Sequence, residues 1–367
     1  MTAPLRVAVL GAGTVGREVV RALLERPDAL RTADGAALEL GGVAVRDVAR
    51  AVANGIPERL LTDAPAHLVA DPEVDVIVEV MGGDEPARTL IAAALSAGKP
   101  VVTANKHVLA HHGPDLESIA RRSTATLRFE ASVGGGIPVL GPLAADLASN
   151  DVERVRGIVN GTTNYILGQM DEGASYADAL AAAQRAGYAE ADPSADVEGL
   201  DAVNKLVILA RLAFGAWLDP ADIPNRNGED RPGITGVTRE DLAAATEAGL
   251  TIKLIAEGAR DTSGGRDTIG AAVAPVALSQ WSELAWIGGV TNCVEIDAVP
   301  LGRVGFTGPG AGGEATASAV LGDLMAIARG GGSTWAGLPE AGRGRVAILS
   351  REESFAAPSG VRYPVIR

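Results

Sequence analysis

The sequence predicts an α/β chain of two domains, an open parallel sheet followed by an α+β region. Three observations carry that expectation. Near the N-terminus, strand-length apolar runs alternate with helical periods, the pattern of βαβ units. Several of those runs end in glycines or polar residues, at the strand ends where open parallel sheets carry their ligands. Further along, an acidic loop from Tyr188 to Asp196 feeds a helix that carries the apolar run Leu206-Val207-Ile208-Leu209.

The chain has 367 residues, enough to bury a core and divide into two domains. Aromatics are 3% of the residues, so the interior must be built from Val, Leu, Ile and Ala. A net charge of −14 argues against nucleic acid, whose phosphates it would repel. The single cysteine, Cys293, excludes an intramolecular disulfide and a cysteine metal cluster. The first apolar run, Val7 to Leu10, is strand-length and runs into glycines, unlike a signal peptide. No run of about 18 apolar residues is present to span a membrane. A cytoplasmic protein is expected.

Arg6 to Leu10 reads as a buried strand, Gly11-Ala12-Gly13-Thr14-Val15-Gly16 follows at once, and Glu18 to Leu24 has helical periodicity. In strand, G-x-G-x-x-G, helix, the first glycine permits the tight turn. The second lets a pyrophosphate approach the backbone, and the third lets helix pack on strand. The free N–H groups at the helix start then face the phosphates. A glycine turn with no ligand is the plainer reading, but the position between strand and helix favours a Rossmann-type dinucleotide site. The next strand, Gly42 to Val45, ends in Arg46-Asp47. An acid there suits the ribose hydroxyl of NAD and an arginine the 2′-phosphate of NADP. Arg46, with Arg50, tilts the reading toward NADP and leaves NAD open.

Val74 to Val80 is another strand, ending in Met81-Gly82-Gly83, and a helix from about Pro86 to Ala97 follows. Val101-Val102-Thr103-Ala104-Asn105-Lys106 then places Lys106 at a strand end, over the nicotinamide side of such a fold. His107 and His111 stand four apart on the next helix, with His112 beside them. The spacing suits a metal, but the supporting carboxylates are missing, and solvated helix histidines are the better reading.

Leu127 to Glu130 is a strand running into Ala131-Ser132-Val133-Gly134-Gly135-Gly136-Ile137. Glu130 with backbone carbonyls could hold a hard cation, although on residues alone a crossover turn is the simpler account. Val155 to Val159 is a strand followed by Asn160-Gly161-Thr162-Thr163-Asn164 and a helix. That turn could orient a carboxylate or merely cap the helix. Asp201 and Lys205 stand four apart on the following helix and share a face. Such a pair is usually a surface ion pair of a few tenths of a kcal/mol. At the mouth of a buried helix it can instead bind and protonate a small zwitterion.

Pro220 to Gly236 reads as a loop, followed by helices from about 239 to 257 and strands near Ile269–Val273 and Val294–Val299. Gly308-Pro309-Gly310-Ala311-Gly312-Gly313 is a second glycine loop before a helix, another candidate phosphate or nicotinamide contact. From Gly330 the chain reads as a tail or wrapping arm.

Together these motifs resemble homoserine dehydrogenase over roughly positions 5 to 328. The matching pieces are Gly11 to Gly16, Thr103 to Lys106, Gly157 to Leu167, Gly187 to Pro193, Asp201 with Lys205, and Gly308 to Gly312. Their order is the family's order. The resemblance implies NAD(P)-dependent interconversion of L-homoserine and L-aspartate 4-semialdehyde, in threonine and methionine biosynthesis. It implies a dinucleotide-binding domain at 1–135, completed by a helix at about 312–330. A dimerisation and substrate domain at 136–311 and a tail at 331–367 complete the division, and the partner is a second copy in a homodimer. The family's catalytic residues fall on Lys205, Lys106 and Asp201. Substrate binding falls on Glu190, Asp196, Gly161 and Thr162. Cofactor binding falls on Gly11, Gly13, Thr14, Val15, Gly16, Arg46, Thr103, Lys106 and Gly310. Its sodium or potassium site falls on Glu130, Val133, Gly135 and Ile137. Two lysines brought together would lower each other's pKa and favour one as a base.

Departures from the pattern are Ser282-Glu283-Leu284-Ala285 in place of His-Pro-Leu-Ala, and Glu314 in place of proline. The tail is too short for the threonine-sensing domain of many members, so this is expected to be a short form without that feedback. Competing readings are an NADP-dependent reductase of another amino-acid aldehyde and a non-catalytic dinucleotide sensor. Lys106, Asp201 and Lys205 together speak against the sensor, which needs no proton-transfer groups.

Overall fold

The computed structural model describes residues 4–33, 35–225, 231–260, 268–349, 351 and 353–367. It divides into two compact units, Met1–Asp146 with Ala311–Ala341, and Leu147–Gly310 with Gly342–Arg367. The first break falls after Asp146, beyond the expected residue 135, because the short helix Leu140–Ala144 caps its backbone on Glu130 of the first unit.

The first unit holds β1 (Leu5–Leu10), β2 (Leu38–Ala44), β3 (Leu61–Thr62), β4 (Val76–Glu79), β5 (Val101–Thr103) and β6 (Leu127–Arg128). They form a sheet of order β3-β2-β1-β4-β5-β6, and each pairing is parallel. This is the doubly wound order, which opens a crevice between β1 and β4 at their carboxyl ends. The apolar runs predicted as strands are buried on both faces, as parallel strands must be. Val7, Val9, Val76 and Val78 pack with Val19, Val20 and Leu23 of the helix Thr14–Glu25, and with Val320 and Leu324 of the helix Gly313–Ala328. Burying each such side chain contributes about 1.5–3 kcal/mol. The late helix is therefore part of this core. Gly313 lets it approach, since a Cβ there would lie 2.9 Å from Thr14 O.

The second unit holds β7 (Asp151–Ile158), β8 (Leu250–Arg260), β9 (Thr268–Ser279), β10 (Thr291–Val299), β11 (Gly302–Pro309), β12 (Arg345–Ala347), β13 (Ser354–Ala356) and β14 (Arg362–Ile366). Their order is β11-β10-β7-β8-β9-β14-β13, with β12 also on β9. One expectation is corrected here. The helix expected to reach 257 ends at Glu247, because Gly249 takes a left-handed φ of +70° and Leu250 to Arg260 then pairs with β9 and β7. Its Ile252, Leu254 and Ala256 are buried between neighbours that only the fold supplies. The segment from Gly330, expected as a tail or wrapping arm, is held at several points. Thr334 N donates to Leu127 O, and Trp335 packs on Phe129 at 5.3 Å between ring centroids. Beyond it, β12 and β14 pair in parallel with β9. Tyr363, fully buried, donates its hydroxyl to Asp241 at 2.8 Å. Part of the Pro220–Gly236 loop, residues 226–230, lies outside the described residues. No helix among the described residues is long and apolar enough to cross a membrane.

Candidate active site

In the first unit, the turn after β1 has the shape its glycines predict. Gly11 has φ +102°, which an L side chain resists, and a Cβ there would meet Val80 O at 2.9 Å. At Gly16 a Cβ would stand 2.0 Å from Gly11 O, so helix and turn touch only because it is glycine. Around Gly13 a Cβ would meet nothing within 4 Å, so its missing side chain leaves room outside the fold. The helix Thr14–Glu25 starts with no side-chain cap and no acid in its first turn. Its first N–H groups therefore present partial positive charge to an anion.

That helix start borders a cavity of about 700 Å³ walled by Gly11, Gly13 and Thr14, and by Val80, Met81 and Gly82 after β4. Its remaining wall brings together Arg17, Arg46, Arg50, Asp47 and Asp63. Asp47 Oδ1 accepts the N–H of Arg50 at 2.9 Å and caps the helix Val48–Ala53. A glycine cradle, a helix N-terminus and three guanidinium groups on one cavity fit a dinucleotide. Val15, Gly16, Thr103 and Lys106 are not on those walls.

Thr103 instead belongs to a buried network that the sequence reading passed over. Its hydroxyl donates to Glu79 Oε2 at 2.6 Å and accepts the N–H of Asn105 at 3.0 Å. Glu79 Oε1 accepts the N–H groups of Met81 and Gly82. Burial raises the Glu79 pKa above the ordinary carboxyl value, against those lowering hydrogen bonds. Asn105 donates to Gly83 O and caps the helix Lys106–Ser123 through Val108 N. The strand ends β4 and β5 and the loop at Met81–Gly83 are thus tied together. Lys106 stands half-buried at the first position of the helix, the end that disfavours a cation, so helix stability does not explain it.

Glu130 spends its carboxylate on the N–H groups of Val139, Leu140 and Gly141 at 2.7–2.8 Å. The side chain thus serves as a cap. Rings of His107 and His111 lie 4.2 Å apart and His112 contacts Asp84. Among the described residues no group of three or more His, Cys, Asp or Glu is arranged to hold a metal. Glu314, which stands where the resemblance implies a proline, is exposed and pairs with Arg21 at 3.0 Å.

In the second unit, the helix Leu200–Phe214 begins at Gly199, φ +81°, and carries Asp201 and Lys205 on its buried side. Lys205 Nζ lies 2.8 Å from Asp201 Oδ2 and donates to Val159 O at 2.6 Å. Asn160, absent from the predicted site, is the hub. Its Nδ2 donates to Asp196 Oδ1 at 2.7 Å and to Asp201 Oδ2 at 2.8 Å, while its Oδ1 caps the helix Gly161–Asp171. The sequence placed it only within the polar turn 160–164, read as orienting a carboxylate or capping the helix. Two carboxylates thus converge on one asparagine, and the Lys205 amine joins them through Asp201, a set that can hold an ammonium group and move a proton beside it.

The other predicted residues have more structural duties. Thr162 donates its hydroxyl to Tyr188 O at 2.7 Å. A Cβ on Gly161 would meet Val290 O at 2.5 Å, so this glycine serves packing. Gly310 is explained by Asn292, whose amide would stand 2.1–2.3 Å from a Cβ there. Glu190 is exposed on the acidic loop, with its carbonyl held by Gln184.

Comparison with known proteins gives consistent results. Residues 11–130 match the family model for the homoserine dehydrogenase NAD binding domain, and residues 138–325 match that for homoserine dehydrogenase. The chain is 43% identical to homoserine dehydrogenase of Corynebacterium glutamicum, across 98% of this chain and 85% of that protein. It is 48% identical to homoserine dehydrogenase of Mycobacterium tuberculosis, across 89% and 73%. The solved homoserine dehydrogenase of Thiobacillus denitrificans aligns with TM-score 0.86 at 36% identity, over 94% of this chain and 80% of that one. A hyperthermophilic archaeal homoserine dehydrogenase in complex with NADPH aligns with TM-score 0.72 at 29% identity, over 88% and 97%.

Proposed function

The chain belongs to the homoserine dehydrogenase family, and on that premise we propose how its residues interconvert L-homoserine and L-aspartate 4-semialdehyde. The observation that carries the reading is the buried Asp201–Lys205 pair gathered with Asp196 on Asn160. The bound nicotinamide dinucleotide supplies the hydride acceptor or donor. Asp196 and Glu190 bind the substrate ammonium group. Asp201 orients Lys205, which takes the hydroxyl proton during oxidation and returns it to the developing alkoxide during reduction. Lys106 is the second lysine of the catalytic set.

NADP is the preferred cofactor in this proposal. Arg17, Arg46 and Arg50 share the cavity wall, and Asp47, the candidate for the NAD ribose, also caps a helix through one oxygen. Guanidinium groups are suited to a phosphate through paired, charge-assisted hydrogen bonds. A sodium or potassium ion would rest on Glu130 and the carbonyls near Val133, Gly135 and Ile137 and support that turn. The thermal midpoint with and without each ion tests this. A homodimer is also proposed. Strand β11 is an outer strand with no fully buried residue, an edge that a second copy can cover. Light scattering on the purified chain reads the mass.

The deciding experiment follows reduced cofactor during L-homoserine oxidation, with NADP and NAD in separate runs. Turnover faster with NADP is expected. Cofactor binding without turnover would move the substrate to another amino-acid aldehyde or the chain to a sensor.

A further inference from the structure

The second unit contains a buried lysine that the proposed reaction does not use. Lys253, on β8, is 6% exposed. Its Nζ donates to Asn164 Oδ1 at 2.9 Å and to Ile287 O at 2.9 Å. Asn164, 1% exposed in the helix Gly161–Asp171, donates its Nδ2 to Ile287 O at 3.1 Å and to Gly289 O at 2.9 Å. The segment 286–290 is also held by Trp286 Nε1 donating to Gln280 O at 2.8 Å, by Ile287 N donating to Leu284 O at 3.3 Å, and by Ile287 packing on the core, while its carbonyls at 287 and 289 rest on Lys253 and Asn164. Trp286 is 78% exposed, Gly288 and Gly289 are exposed, and Gly289 has φ +58°. Its last residue, Val290, rests its backbone on Gly161, next to the Asn160 hub.

A buried ammonium group is costly unless it is paired, and a methionine would fill the same space without that cost. Burial lowers the Lys253 pKa, partly offset by the charge of Asp171. What the lysine does contribute is two donated hydrogen bonds that fix an asparagine and a loop carbonyl in one arrangement. The asparagine then holds two carbonyls of the same loop.

We propose that Lys253 and Asn164 are positioning residues: they clamp segment 286–290 onto the first turn of the helix Gly161–Asp171, making it a fixed wall beside the Asn160–Asp196–Asp201 cluster. The wall sets how tightly the amino-acid substrate is held. Neither residue touches the reacting atoms. The proposal rests on the assignment of that cluster to the amino acid.

Two full-length variants test it. Lys253→Met removes the ammonium and nearly keeps the volume. Asn164→Asp keeps the acceptor for Lys253 and removes both donations to the loop. Hydrogen exchange of residues 286–290 reads the clamp independently of any reaction. Both variants should exchange faster there while peptides of β8 and β10 stay protected. In homoserine oxidation, KM for the amino acid should rise about tenfold, the effect of losing one or two such bonds. KM for the cofactor should stay unchanged, and Lys253→Arg should recover part of the loss. Unchanged exchange at 286–290 overturns the clamp. Faster exchange with both KM values moving together overturns its role as the substrate wall. Faster exchange in the variants, with a parent chain that does not oxidise homoserine, leaves the clamp standing and refutes the substrate assignment alone.

Discussion

Lys205 Nζ lies 2.8 Å from Asp201 Oδ2 one helical turn earlier, and each side chain is less than a tenth exposed. On a surface such a pair contributes little. Here it is buried, shared with Asn160 and anchored on Val159 O, so the amine has one defined position. Replacing Lys205 by Ala should reduce turnover by about 10²–10⁴-fold, the usual weight of a positioned acid or base. Dissociation of NADP, measured by fluorescence titration, should not change. Full turnover in this variant would remove Lys205 from the mechanism.

Arg46 and Asp47 are adjacent but differ in what they are free to do. Arg46→Ala should raise KM for NADP about 10- to 100-fold, the loss of a charge-assisted hydrogen bond, and leave KM for NAD unchanged. Asp47→Ala should lower stability by about 1 kcal/mol through the lost cap and leave the cofactor ratio as it was. Steady-state kinetics with both cofactors and a denaturant titration separate the two effects. A shift toward NADP in the aspartate variant would restore Asp47 as a ribose ligand.

Glycines of the first turn should separate folding from binding. A Cβ at Gly16 would collide with a backbone oxygen 2.0 Å away, so Gly16→Ala should lower the thermal midpoint and weaken cofactor binding together. A Cβ at Gly13 meets nothing in the protein, so Gly13→Ala should melt like the parent yet bind NADP poorly. Normal binding by Gly13→Ala would show that no phosphate approaches there.

Glu79 predicts a pH dependence. Burial raises its folded pKa, so between the ordinary carboxyl value and the raised one the folded chain binds more protons than the unfolded chain. Stability from this group is complete below about 4.3, the ordinary value, and declines as pH rises through the folded value. Glu79→Gln should remove part of that decline in a series of thermal midpoints against pH. Glu130 and Asp323, also raised chiefly by burial, keep the remainder of the slope. An identical slope in the variant would show that Glu79 does not titrate in that window.

What the sequence alone determined lies within a few residues of chain. The turn from Gly11 to Gly16 follows from where a Cβ can and cannot stand, and Asp201 meets Lys205 because helical spacing puts them on one face. Those relations hold in any fold that forms the local element, so they were legible at once. Asn160 gathers Asp196 and Asp201 across 36 and 41 positions, and Lys253 reaches Asn164 across 89. Leu250–Arg260 is a strand because β7 and β9 offer it partners, and the last residues are strands because β9 has a free edge for them. No local period encodes a partner that distant. The tertiary structure decided these points, since only packing brings the partner groups within reach and makes leaving a buried donor or acceptor unpaired too costly.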